Sequence, residues 1–180
     1  LFTKLTTDIT LENQEFTGEV WFKTSSSMPM VIFSDNDASG SWGHSLYIDG
    51  GSLGFDFTVD GGSVVRLDSS EVVTDGDWHN AVVVRGEDYV ELWLDGEFLV
   101  ETSYDGVVDD SSSAIYVGQN PLGGELFSGN IDDLKFSNIP RHHEDFMSGV
   151  GVVEFSSLVN DEDGVIIEYE WRSSRDGILG

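Results

Sequence analysis

Apolar and polar residues alternate with a period of two along most of the chain, which is the signature of strands with one buried face. From Phe16 to Thr24, Phe16, Val20 and Phe22 share one side with Gly18, and Thr17, Glu19, Trp21 and Lys23 share the other. Met28 to Phe33 is an unbroken apolar run after three serines and predicts a central strand. Leu46 and Ile48 alternate with Tyr47 and Asp49; Leu53, Phe55, Phe57 and Val59 alternate with Gly54, Asp56 and Thr58. Asp49-Gly50-Gly51 and Asp60-Gly61-Gly62 turn the chain on either side of that second run, and a short strand follows from Val64 to Leu67.

The clearest stretch is Asp75 to Gly96. Turn residues at Asp75-Gly76-Asp77 lead into an apolar run from Trp78 to Val84, with Trp78 assigned to the core. After Gly86-Glu87-Asp88, Val90, Leu92 and Leu94 fall on one face and Tyr89, Glu91 and Trp93 on the other, and Asp95-Gly96 is a strong hairpin signal. Phe98–Glu101, Ala114–Val117 and Gly129–Phe136 read as further strands; in the last of these Ile131, Asp133 and Lys135 oppose Asp132, Leu134 and Phe136. A short helix is predicted only around His142 to Met147. Short strands separated by Gly-rich turns predict an all-β, two-sheet antiparallel jelly-roll sandwich over residues 1–149. Residues 150–180 form a C-terminal extension, with strand-like runs at Val150–Phe155 and Val165–Trp171 around Asn160–Gly164. It is either a last hairpin of the sandwich or an arm that docks on a neighbouring subunit in an oligomer or larger assembly.

Charge changes the picture. Thirty-four acidic residues against eight Lys and Arg give a net charge of −26. Such a surface repels phosphate backbones and anionic lipid, which argues against nucleic acid and membrane partners. Its self-repulsion calls for salt, as in a halophilic or marine setting, or for bound cations. There is no cysteine, hence no disulfide and no thiolate metal site. No apolar run approaches the roughly 20 residues of a membrane-spanning helix. The chain starts at Leu1, which suggests a processed protein or part of one.

Asp77-Trp78-His79-Asn80-Ala81-Val82-Val83-Val84-Arg85, followed by Val90-Glu91-Leu92-Trp93-Leu94-Asp95-Gly96, resembles the core signature of laminin-G-like, or concanavalin A-like, jelly-roll domains. Phe16–Lys23 resembles the early strand of that family, Ile115-Tyr116-Val117-Gly118 a late strand, and Phe127–Phe136 with Ile139-Pro140-Arg141 the closing one. Four motifs in the right order cover about Asp8 to Met147. They imply the fold strongly and the ligand hardly at all.

Catalysis finds no support in the motifs. The glucanases similar to this family set paired carboxylates on one strand, and the nearest segments here, Glu87–Glu91 and Glu168-Tyr169-Glu170, have the wrong spacing. No histidine pair has metal-ligand spacing, and there is no nucleophile elbow or phosphate loop. Calcium is the expected cofactor, because hard cations take several oxygen ligands. Asp35-x-Asp37-x-Ser39-Gly40 has the oxygen spacing of a calcium loop without its later Glu, and equally suits an ion-free acidic turn. The resemblance implies a second site at Asp132 with Asp8; against a rim calcium, His44 and Ser45 stand where such domains carry an acidic residue. Trp21, Tyr89, Glu91 and Trp93 share the side of their strands away from the core, so they are either the candidate ligand surface, suited to sugar stacking or to a protein partner, or a face covered by loops or by the C-terminal hairpin. The expectation is a non-catalytic, calcium-stabilised recognition or adhesion module, extracellular or displayed on a cell or virion surface, that binds a glycan or surface protein. The alternative is a structural subunit of a virion, appendage or surface layer.

Overall fold

A computed structural model describes residues 3–5, 11, 15–35, 43–109, 114–141, 172–173 and 177–178. The chain divides into two compact units, Leu1–Gly149 and Val150–Gly180. The strands are β1 (Thr3–Leu5), β2 (Phe16–Lys23), β3 (Met30–Ser34), β4 (His44–Asp49), β5 (Ser52–Val59), β6 (Ser63–Val72) and β7 (Trp78–Arg85). They continue with β8 (Tyr89–Leu94), β9 (Glu97–Ser103), β10 (Ile115–Val117), β11 (Asn130–Ser137), β12 (Arg172–Ser173) and β13 (Gly177–Ile178).

The first unit holds two sheets, a six-stranded one in the order β1-β10-β3-β4-β5-β6 and a five-stranded one in the order β11-β2-β7-β8-β9. Every pairing in them is antiparallel. The two-sheet antiparallel sandwich expected from the alternation is therefore present. In the second unit β12 and β13 pair antiparallel. The predicted runs at 150–155 and 165–171, and the helix around His142 to Met147, lie outside the described residues.

Alternation explains the core. Phe16, Val20 and Phe22 of β2, Leu46 and Ile48 of β4, Leu53, Phe55 and Phe57 of β5, Ala81 and Val83 of β7, and Val90, Leu92 and Leu94 of β8 are all buried in one cluster. Truncating a buried phenylalanine of this kind to alanine costs about 3–5 kcal/mol. Tight turns keep the registers: Asp95 and Gly96 have φ of 49° and 83°, the left-handed pair that a two-residue hairpin requires.

The Trp-His and Asp-Gly motifs meet at one end of the five-stranded sheet. His79 Nδ1 lies 2.7 Å from Asp95 Oδ2, and its Nε2 lies 3.2 Å from Asp75 Oδ1. The Asn80 amide donates to Asp95 Oδ1 at 2.7 Å. One imidazole thus clamps the turn before β7 to the turn after β8. Burial alone would lower the His79 pKa, but the Asp95 and Asp75 carboxylates outweigh it and hold the imidazolium above its ordinary range.

Three sequence expectations need correction. Trp78 is 38 % exposed rather than in the core. It starts β7 opposite Lys23, the last residue of β2, so it stands at the sheet's end where the opposing layer no longer covers it. β6 runs on past Leu67 to Val72 as a mostly exposed edge strand. In β11 the strict alternation breaks at a bulge between Asp132 and Lys135, where Asp133 takes φ of 49°. The extra residue puts Ile131, Leu134 and Phe136 together against the core.

Candidate ligand groove on the six-stranded sheet

The structure brings Trp21, Tyr89, Glu91 and Trp93 to one face, the outer side of the five-stranded sheet, as their alternation predicted. That face is largely covered. Val82 and Val84 point outward between β2 and β8, yet are buried. The Thr17 hydroxyl donates to the Ile139 carbonyl at 2.9 Å and accepts from the Arg141 amide at 2.7 Å, and Arg141 pairs with Glu19. The segment leaving β11 therefore runs back across β2. Trp93 Nε1 donates to Glu91 Oε2 at 2.8 Å, and its ring meets Phe98 edge-on at 5.2 Å. All four candidates are half-buried.

The proposed calcium ligands are placed as follows. Asp35 is buried, and its Oδ1 accepts the His44 amide at 2.6 Å and lies 3.2 Å from His44 Nδ1. Asp132 is half-buried on β11, opposite Trp21, and its Oδ1 accepts the Asp133 amide at 2.9 Å. Asp8, Asp37 and Ser39 lie outside the described residues. Among the described residues no three His, Cys, Asp or Glu side chains are grouped to hold a metal ion.

The other sheet carries an open face among the described residues. A groove of about 730 Å³ runs over the outer faces of β4, β5 and β6. Register explains its floor. Tyr47, Gly54 and Asp68 lie in one row across the three strands, and Ser45, Asp56 and Arg66 in the next. Gly54 is what lets Tyr47 lie down: a Cβ there would come within 2.5 Å of the ring. The ring crosses β5 and its hydroxyl donates to Asp68 Oδ1 at 2.7 Å. In the next row Arg66 Nη2 donates to Asp56 Oδ2 at 2.7 Å, and the guanidinium carbon stands 5.5 Å from the Tyr47 ring centroid.

The groups shift one another's protonation. Burial pushes the Tyr47 phenol up, and the hydrogen bond to Asp68 adds to that, so Tyr47 stays a donor at any physiological pH. Burial also raises the Asp56 carboxyl; Arg66 pulls it back, and Asp68 and Glu125 push it further up.

Backbone bonds fix the rims. Asp109, 8 % exposed, accepts the amides of Gly61 and Gly62, both at 2.8 Å, and so pins the β5–β6 turn. Opposite, the Glu125 carbonyl accepts the Val31 amide at 2.9 Å. The Asn120 side chain accepts the Gly124 amide and donates to Glu125 Oε2, which stiffens that loop. The sequence carried one signal for this site, an isolated glycine at position 54 inside an otherwise strict alternation, which marks a close approach in a strand.

Residues 3–145 match the family described as the concanavalin A-like lectin/glucanases superfamily, Laminin_G_3. Among solved structures, the binding domain of Paraclostridial Mosquitocidal Protein 1 superposes with a TM-score of 0.65 at 11 % identity, over 81 % of this chain and 39 % of that one. Domains LG4-5 of the mouse laminin alpha1 chain superpose with a TM-score of 0.61 at 14 % identity, over 80 % of this chain and 40 % of that one. The CBM40 of a Ruminococcus gnavus IT-sialidase, bound to alpha2,3 sialyllactose, gives 0.65 at 15 % identity, over 78 % and 84 %. The matched part of this chain thus spans about two fifths of the first two structures. Among curated proteins none matches this sequence.

Proposed function

This chain belongs to the concanavalin A-like lectin/glucanases superfamily, and from that premise we propose that it is a non-catalytic, extracellular recognition module that binds a glycan in the groove over β4, β5 and β6. The observation that carries the reading is the Tyr47–Gly54–Asp68 row beside the Asp56–Arg66 pair. It sets an aromatic ring, a phenol, two carboxylates and a guanidinium on three rigid strands, the mix of apolar surface and fixed polar groups that small-ligand sites use. Strand positions hold such groups in place better than loops do. A binding role also suits the pairing, because Asp56 is tied to Arg66 and Asp68 to Tyr47, which leaves neither poised as a free acid or base.

Glycan-array binding that is lost in Tyr47→Ala and kept in Trp93→Ala supports the groove. The opposite pattern moves the site to the face carrying Trp21, Tyr89, Glu91 and Trp93. Calcium enters only as a stabiliser, through Asp35, Asp37 and Ser39 or through Asp132 and Asp8, with Asp35 also accepting from His44. A melting temperature unchanged between calcium and chelator removes the metal from the proposal.

A further inference from the structure

We infer that the groove selects a sugar carrying a protonated amine over neutral and acidic sugars, an inference that rests on the groove being the glycan site. The charges that line it decide this. Asp49, Asp56 and Glu125 line the groove and Asp68 holds its tyrosine, against one guanidinium, Arg66. That guanidinium is already matched inside the groove, at 2.7 Å from Asp56. Among the described residues no Lys, Arg or His pairs with Asp49, Asp68 or Glu125. A ligand bearing a carboxylate or sulfate would meet uncompensated like charge there, and an ammonium would relieve it.

A bare cation fits less well than a cationic sugar. The carboxylates are spread along three strands and a loop, and no three of them close on a common point. That spread suits a ligand that presents one ammonium and several hydroxyls at different places. An ammonium has three donors and no acceptor, which matches oxygens whose lone pairs outnumber the bonds they make here. Burial and the neighbouring Asp68 and Glu125 already push the Asp56 carboxyl up, so a second cation beside it is favoured on the same grounds as Arg66.

The test is calorimetry on the full chain at pH 6 with three trisaccharides: β-1,4-linked glucosamine, its N-acetylated counterpart, and 3′-sialyllactose. The expected order is glucosamine, then N-acetylglucosamine by about tenfold, which is 1.4 kcal/mol, with no binding of sialyllactose. The preference disappears at about pH 9, above the range of such amines. Asp49→Asn with Glu125→Gln, which line the groove outside the Tyr47–Asp68 and Asp56–Arg66 pairs, abolishes the preference while the acetylated sugar still binds, which shows that the groove is intact. Glu97→Gln with Glu101→Gln, on β9 of the other sheet and outside the groove lining, removes the same charge and leaves the preference standing. Equal loss in that control means bulk attraction to an acidic protein and overturns the inference. So does equal affinity for the amine and its acetylated form, when both are lost in Tyr47→Ala; the glycan site then survives and only the selectivity falls. Binding of none of the three sugars, together with an empty glycan array, overturns the glycan site itself.

Discussion

Gly54→Ala separates binding from folding at a single atom. The added Cβ would stand 2.5 Å from Tyr47 Cε2 and Cζ and 2.7 Å from its hydroxyl oxygen, all at the free end of one side chain. The strand backbone need not move; the ring must. Tyr47 then loses its bond to Asp68, a contact exposed enough for water to replace much of it, so the loss falls near the low end of hydrogen-bond values, about 1 kcal/mol. Replacing a strand glycine by alanine recovers about 0.5 kcal/mol through the unfolded state. The net change in stability is below about 1 kcal/mol. Binding should fall at least as far as in Tyr47→Ala, since both remove the ring from the groove floor. Urea melts and calorimetric titration on the same samples read the two effects. Wild-type affinity in Gly54→Ala would refute the role of the flattened tyrosine. A stability loss above about 3 kcal/mol would refute the premise that only the ring yields.

Two further outcomes follow from the clamps at either end of the sandwich. The His79 pKa is raised, so its pairing with Asp95 and Asp75 contributes stability that is complete below the ordinary value of 6.5 and is lost as pH rises through the raised one. Thermal melts between about pH 6 and pH 8 should show that decline, and His79→Gln should flatten it; an unchanged slope removes the histidine as its source. Asp109→Ala strips the acceptor from two rim amides, but Gly62 keeps a bond to the Val59 carbonyl at 3.2 Å and Gly61 is open to water. The expected cost is about 2 kcal/mol by denaturant unfolding, close to one charged hydrogen bond. A cost under about 0.5 kcal/mol means that the rim does not depend on Asp109.

Much of the sandwich was legible because alternation and Asp-Gly turns are local signals, and the core residues of β2, β4, β5 and β8 obey them. Trp78 and β11 escaped for opposite reasons. Trp78 is apolar by type but stands where its sheet ends, and the β11 bulge inserts a residue that the periodicity does not announce. Residue type draws attention unevenly: Trp21 and Trp93 are conspicuous in a sequence, whereas Tyr47, Asp56, Arg66 and Asp68 are ordinary one by one. They come together only through pairing, because Tyr47 reaches Asp68 across Gly54 at a separation of 21 residues. Asp35 shows the same limit, since oxygen spacing does not reveal that its carboxylate faces His44.

The row that carries Tyr47, Gly54 and Asp68 belongs to a single three-strand meander, β4 through β6, joined by two tight turns. Its parts therefore meet by nearest-neighbour zipping and need no distant strand to bring them together. Substitutions elsewhere in the sandwich alter how stably that platform is held more than which groups it presents. Sequence drift in the rest of the chain can consequently leave the groups on β4 through β6 unchanged, so the outward positions of residues 44–68, with Glu125 on the rim, are where the proposed specificity should be probed.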